Sequence, residues 1–251
     1  MRLRAPRFAL DVAVAFQFLT RLPITHGGFA SDGLARSAKF FPLVGLVVGL
    51  GAALLNKSLA PHLGRPACAL AVLLYLVLIT GCLHEDGLAD VADSLGGWNF
   101  EQRLAILRDS RLGTFGAAAL TLALLARAVL VAGLPLEHFT AYVVSAQVLC
   151  RWSILPLSYY LPPARRTEGQ GARVAGLTSS ASLFAGSAFT LATVVVALHK
   201  AAIAPVLAAL LVAVLSSLFY MRKFGGITGD CFGATTQFTE IAVYLCGVWK
   251  P

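Results

Sequence analysis

The sequence predicts an all-α bundle of transmembrane helices, on three observations: its apolar content, its long uncharged stretches, and the lack of any strand pattern. Of its 251 residues, 58% are hydrophobic and 13% charged, and the mean hydropathy is +0.78. Soluble domains run at about 45–50% apolar and about 25% charged residues. A hydrocarbon layer of ~30 Å takes about 20 mostly apolar residues per helical crossing. Seven stretches come near that length: 41–59, 67–83, 115–134, 139–161, 177–198, 201–220 and 232–248. The expectation is therefore a polytopic bundle of about seven spans, forming a single integral-membrane domain over residues 1–251.

The elements can be justified in order. Arg2, Arg4 and Arg7 before an apolar run imitate a signal peptide, but Asp11 interrupts the run and no cleavage site precedes Arg21. An amphipathic helix lying in the membrane interface fits better. In the first span Gly45 and Gly49 stand four apart, the spacing at which helix backbones approach closely. The last span is the weakest, because Thr235, Thr236, Gln237, Thr239 and Glu240 dilute it. Cys68, Cys82, Cys150, Cys231 and Cys246 show no paired spacing, which argues against a disulfide framework or a zinc site and for buried thiols.

Lysine and arginine bias sets the orientation. With the amino terminus in the cytoplasm, fourteen basic residues fall on the cytoplasmic side and four (Lys57, Arg65, Lys200 and Lys250) on the other. The net charge of +8 is thus mostly a topology signal. It calls for no nucleic-acid partner, although the same face would attract anionic lipids and phosphorylated substrates. Arg127 and Arg151 fall inside spans, where a charged side chain carries a penalty of roughly 2.5–3.5 kcal/mol on insertion scales. Both are expected to face the bundle interior, pairing with Glu240 or a bound anion.

The chemistry concentrates in one loop. Six of the twelve acidic residues lie between Glu85 and Asp109. The run HEDGLADVADSLGG, residues 84–97, places Asp86, Asp90 and Asp93 at i, i+4 and i+7 of a continuing helix. Three carboxylates on one helical face repel unless a cation sits among them, and Mg²⁺ takes one or two carboxylates plus substrate phosphates. Glu85 points off that face and is expected to be solvent-exposed. His84 is read as a ligand, a proton shuttle or a structural histidine. Downstream, Arg108, Ser110 and Arg111 flank Asp109, and arginines suit bidentate phosphate binding. A third run, GGITGDCFGATTQ (225–237), opens the last span on the same side, where backbone N–H groups can meet phosphate.

Taken together these runs resemble the cobalamin synthase family, adenosylcobinamide-GDP ribazoletransferase. The matching runs are FLTRLP, FFPLVGLVVG, HEDGLADVADSLGG, ILRDSRLGTFG, the Arg151–Trp152 pair and GGITGDCFGAT, in order along nearly the whole chain. The resemblance implies a Mg²⁺-dependent bacterial inner-membrane enzyme whose active site faces the cytoplasm. In it the 5′-hydroxyl side of α-ribazole, free or 5′-phosphorylated, attacks the diphosphate of adenosylcobinamide-GDP and releases GMP. On that basis Asp86, Asp90, Asp109 and Asp230 are expected to hold the metal, and Asp93 to act as the base, with Asp90 next in line. Arg108, Arg111, Ser110 and Arg151 would bind the diphosphate, cradled by Gly225, Gly226, Thr228 and Gly229. A weaker likeness to CDP-alcohol phosphotransferases shares the kind of displacement, but that family has an arginine after Asp-Gly-x-x-Ala, whereas here Asp90 follows Asp86-Gly87-Leu88-Ala89, so its ligand assignment does not carry over. A cation-coupled transporter would place carboxylates near the midplane in inverted repeats, and no repeat is evident. The sequence leaves a homo-oligomer open.

Overall fold

The computed structural model describes residues 7–24, 33–164 and 178–249. Among these residues there is no strand, only an isolated bridge between Pro163 and Ile227. Twelve α-helices follow one another: α1 (Arg7–Leu19), α2 (Gly33–Ser37), α3 (Phe41–Leu59), α4 (Arg65–Thr80), α5 (Leu83–Ser94) and α6 (Phe100–Ile106). Then come α7 (Thr114–Gly133), α8 (Phe139–Trp152), α9 (Ile154–Tyr160), α10 (Ser180–Leu198), α11 (Ile203–Phe224) and α12 (Gly229–Val248). Of the basic residues behind the charge bias, Arg2, Arg4, Arg165, Arg166, Arg173 and Lys250 lie outside the described residues, as does Leu177 at the start of the fifth expected span.

Among the described residues three stretches are long and apolar enough to cross a bilayer: Gly33–Leu59, Thr114–Gly133 and Ser180–Phe224. The last runs for 45 residues through α10 and α11, with a turn at His199, whose φ is +49°. Helices α4 and α5 make a fourth only if counted together as a span broken by an 86° bend. About seven spans are therefore not confirmed, and each departure has a local cause. The 67–83 stretch stops at Gly81 and Cys82, both left-handed, which leaves α4 only 16 residues long. The 139–161 stretch breaks at Ser153 into α8 of 14 residues and α9 of 7. In α12 the polar residues Thr235 to Gln237, Thr239 and Glu240 are all buried, so they lower the hydropathy from the side facing the bundle. Outward faces are apolar instead: Leu122 on α7 is 67% exposed and Val196 on α10 is 74% exposed.

The core forms where α3 and α12 close on α8. The close approach expected of the glycine pair is present. A Cβ on Gly45 would overlap the Gln147 carbonyl, and one on Gly49 would come 2.9 Å from the Val144 Cα. Such backbone-to-backbone packing is how helices associate where lipid removes the hydrophobic drive. Helix α1 is amphipathic, with Phe8 exposed and Asp11 turned inward, 3.4 Å from both Arg36 and Lys39. Cys68, Cys150 and Cys231 are buried thiols, whereas Cys82 is exposed at the α4–α5 kink.

Candidate active site

The left-handed pair Gly81–Cys82 turns α5 through 86° from α4 and lays it against α7 and α12. The contact with α12 is backbone to backbone. A Cβ on Gly87 would meet the Asp230 carbonyl at 2.7 Å, and one on Gly233 would meet the Gly87 Cα at 3.1 Å. These two glycines bring the acidic face of α5 to the first turn of α12. Asp86 is exposed there, while Asp90 and Asp230 are half-buried. Burial, then Asp86, Asp230 and Asp93 in that order, push the Asp90 carboxyl up to about 7. Like charges this close disfavour one another's ionised forms. Four of the expected site aspartates are thus in one electrostatic cluster.

Asp109 stands apart from it. It sits in the loop before α7, where its carboxylate accepts bonds from the backbone N–H, Nε and Nη2 of Arg111. Those bonds hold it down at about 2 and raise the Arg111 guanidinium in turn. Arg108 and Ser110 are exposed in the same loop. No group of three or more His, Cys, Asp and Glu side chains among the described residues is arranged to hold a metal ion. The donor chemistry nevertheless suits a hard cation that takes one or two carboxylates and completes its shell from a phosphorylated substrate. Asp86, Asp90 and Asp230 carry that donor type.

Asp93 has a defined structural task. Its two carboxylate oxygens accept the backbone N–H groups of Gly113 and Gly116, each at 2.7 Å, at the start of α7. A carboxylate at a helix N-terminus satisfies donors that the helix itself cannot and complements its dipole. A Cβ on Gly113 or Gly116 would overlap this carboxylate, so both glycines are required for the capping. Through it Asp93 ties α5 to the loop carrying Arg108, Asp109 and Arg111. Asp93→Ala should lower stability by about 0.5–2 kcal/mol, the usual loss for a removed cap. The Arg108–Arg111 loop should become more accessible to protease, while Asp93→Asn retains part of the capping. Unchanged proteolysis of Asp93→Ala would dissociate this residue from the loop.

The glycine-rich run divides in two. Gly225 caps α11 in a left-handed conformation, φ +63°. Gly226 is buried against residues 162–164, where a Cβ would meet the Pro162 carbonyl at 2.5 Å. The paired bonds Ala164 N–H to Ile227 O (3.0 Å) and Ile227 N–H to Pro162 O (2.9 Å) fix that contact. Gly229 is exposed at the first turn of α12, and the Thr228 hydroxyl donates to Asp230 Oδ2 at 3.1 Å. In this run Gly225 and Gly229 are exposed, whereas Gly226 serves packing.

Behind the acidic face lies a buried polar network. Glu85, expected in solvent, is only 5% exposed. It lies on the side of α5 that faces the bundle, and its burial is offset by Arg127, whose Nη1 donates to Glu85 Oε1 at 2.6 Å. The same guanidinium reaches Gln237 Oε1 at 3.1 Å and Glu240 Oε1 at 3.2 Å. The expected inward pairing of Arg127 with Glu240 is thus present. Arg151 is also fully buried, and its Nη1 donates to the Gln147 side chain at 2.7 Å and the Gln147 carbonyl at 3.1 Å. It belongs to the interior and not to the exposed loop of Arg108. His84 is buried, and desolvation with the nearby Arg151 and Arg127 holds it well below the ordinary imidazole range, hence neutral. Glu85 and Gln237 were the residues that sequence reading missed. The signal was available: two arginines inside spans require acceptors, and Gln237 and Glu240 lie one helical turn apart.

Comparison with known proteins identifies the family of the chain. The model of the family described as cobalamin-5-phosphate synthase matches residues 11–248. A protein of Azorhizobium caulinodans named adenosylcobinamide-GDP ribazoletransferase is 38% identical over 98% of this chain and 97% of its own length. Proteins of the same name from Ralstonia nicotianae and Mesorhizobium japonicum are 38% and 40% identical, over 92% and 96% of this chain and 91% and 94% of theirs. No solved structure matches the chain. With one family model covering both the α5 run and the α12 run that meet at Gly87 and Gly233, the chain belongs to the cobalamin-5-phosphate synthase family.

Proposed function

We propose that this protein joins adenosylcobinamide-GDP to α-ribazole, or to its 5′-phosphate, giving adenosylcobalamin or its 5′-phosphate and GMP. The observation that carries the reading is the near full-length similarity to relatives named for that transfer. Mg²⁺ is the proposed cofactor, with Asp86 and Asp230 holding it; when bound it neutralises phosphoryl oxygens during the displacement. The covalent change is one P–O bond formed for one broken. An α-ribazole hydroxyl oxygen bonds to the phosphorus nearer the corrinoid, its proton leaves, and GMP departs with the bridging oxygen.

The family description names a 5-phosphate product. An acceptor that keeps its 5′-phosphate has no free 5′-hydroxyl, so the attacking oxygen is a secondary sugar hydroxyl, which replaces the 5′ side expected earlier. The general base is assigned to Asp90. Asp93 already accepts two N–H bonds and caps α7, which leaves Asp90, on the same acidic face, for the proton. Arg108 and Arg111 on the exposed loop would bind the diphosphate, Arg111 exchanging Asp109 for phosphate oxygen, with Gly229 at the start of α12 adding backbone donors. The basic bias supports a site facing the cytoplasm of the bacterial inner membrane, where guanine nucleotides are found.

The test is purified full-length protein in liposomes, given adenosylcobinamide-GDP, α-ribazole or its 5′-phosphate, and Mg²⁺. GMP and a corrinoid carrying the ribazole should appear in equal amounts. Release of GDP in place of GMP, or GMP without the joined corrinoid, would refute the transfer.

A further inference from the structure

Between α3 and α4 lies an apolar groove of about 520 Å³, walled by Leu55, Leu74, Tyr75 and Leu78 among others, with Arg21 at its rim. Its walls face outward: Leu74 is 58% exposed and Leu78 63%. In a bundle that crosses the bilayer, such a surface meets hydrocarbon. Arg21 is seated there by its surroundings. Its backbone N–H donates to the Ile79 carbonyl at 2.7 Å. Its side chain lies over Gly81, where a Cβ would come 2.6 Å from Arg21 Cγ, so the missing side chain makes the room. The position is the carboxyl end of α4, where the last carbonyls favour a cation. Among the described residues no carboxylate pairs with Arg21. Arg21 also belongs to the FLTRLP run, to which the proposed reaction gives no role.

We propose that this groove binds an anionic phospholipid, with one acyl chain along α3 and α4 and the phosphate on Arg21. A soluble phosphate would leave the apolar walls unused, and a zwitterionic lipid would bring its own cation to compete with the arginine. A guanidinium offers phosphate a planar, two-pronged set of donors, and a basic residue near an anionic leaflet is worth about 1 kcal/mol. That corresponds to about a fivefold preference. The inference rests on the membrane reading and not on the reaction, so it survives if the enzyme assay fails.

The experiment is native mass spectrometry of the purified full-length protein in detergent with added phosphatidylglycerol or phosphatidylcholine. Wild type should retain phosphatidylglycerol about fivefold in preference. That preference should vanish in Arg21→Gln, while Arg222→Gln, at an exposed site on α11, keeps it. Ala71→Phe leaves Arg21 intact and fills the groove, and it should also lose the lipid. It carries the test if Arg21→Gln does not fold. Equal retention of the two lipids by wild type, or the wild-type preference in Ala71→Phe, overturns the proposal. Displacement of phosphatidylglycerol by millimolar inorganic phosphate would overturn it too, in favour of a soluble ligand.

Discussion

Arg127→Met is expected to lower the stability of the bundle by about 3–5 kcal/mol, the range for removing one partner of a buried ion pair. Arg127 is 2% exposed and stands between Glu85 and Glu240, which are 5% and 3% exposed. Without the guanidinium, two buried carboxylates would lose the cation that pairs with both. Each helix involved loses something: α5 through Glu85, α12 through Gln237 and Glu240, and α7 through Arg127 itself. Neutralising the whole group should be milder than breaking it, because the removed charges no longer need solvation. Arg127→Met combined with Glu85→Gln and Glu240→Gln should therefore recover most of the lost stability. Thermal unfolding in detergent measures both variants. If the single variant unfolds at the wild-type temperature, the network does not hold α5 in place.

Asp90→Asn is expected to separate stability from activity, stabilising the metal-free protein near neutral pH while slowing GMP release by about 10²–10⁴-fold. The folded-state carboxyl is raised to about 7 by burial and by Asp86, Asp230 and Asp93, against about 3.9 for an unfolded aspartate. Between those values the unfolded chain has lost a proton that the folded chain keeps. Stability therefore falls as pH rises from about 4 to about 7, and levels off above. Asparagine cannot ionise, so the variant should lack that fall. Melting curves in chelator between pH 4 and 8 should converge at the acid end and diverge towards pH 8, with Asp90→Asn the more stable there. Parallel curves would mean that Asp90 does not carry the raised carboxyl. As a general base, Asp90 contributes about 10²–10⁴-fold, so the loss in kcat should be of that order with KM little changed.

Much of this arrangement was legible in the sequence, and particular residues show why the rest was not. The i, i+4, i+7 aspartates gave the acidic face, and Gly45 and Gly49 gave a close helix approach on α3, though not its partner α8, because both follow from helical periodicity alone. The buried arginines gave the polar interior, since charge within an apolar stretch requires a partner. What periodicity could not supply was the side of α5 that faces the bundle. That depends on the turn at Gly81 and Cys82, where a non-glycine residue takes φ +60°. It reversed the expectation for Glu85 and left Asp93 against the start of α7, a contact twenty residues distant in sequence. The number of spans is not confirmed for a related reason. Apolar length was counted in stretches that break at Ser153 and Gly81, and α12 turns its polar residues inward.

The central claim is that the reaction takes place where the acidic face of α5 meets the first turn of α12. The most direct test is GMP release in liposomes by Asp86→Asn, Asp230→Asn and the double variant, each at matched folded protein and over a Mg²⁺ titration. Each single variant should lose at least about 10²-fold in turnover or need far more Mg²⁺. The double variant should be little worse than the weaker single one, because residues acting as one unit are not additive. Near wild-type turnover and Mg²⁺ dependence for Asp230→Asn would place the chemistry elsewhere and contradict the account.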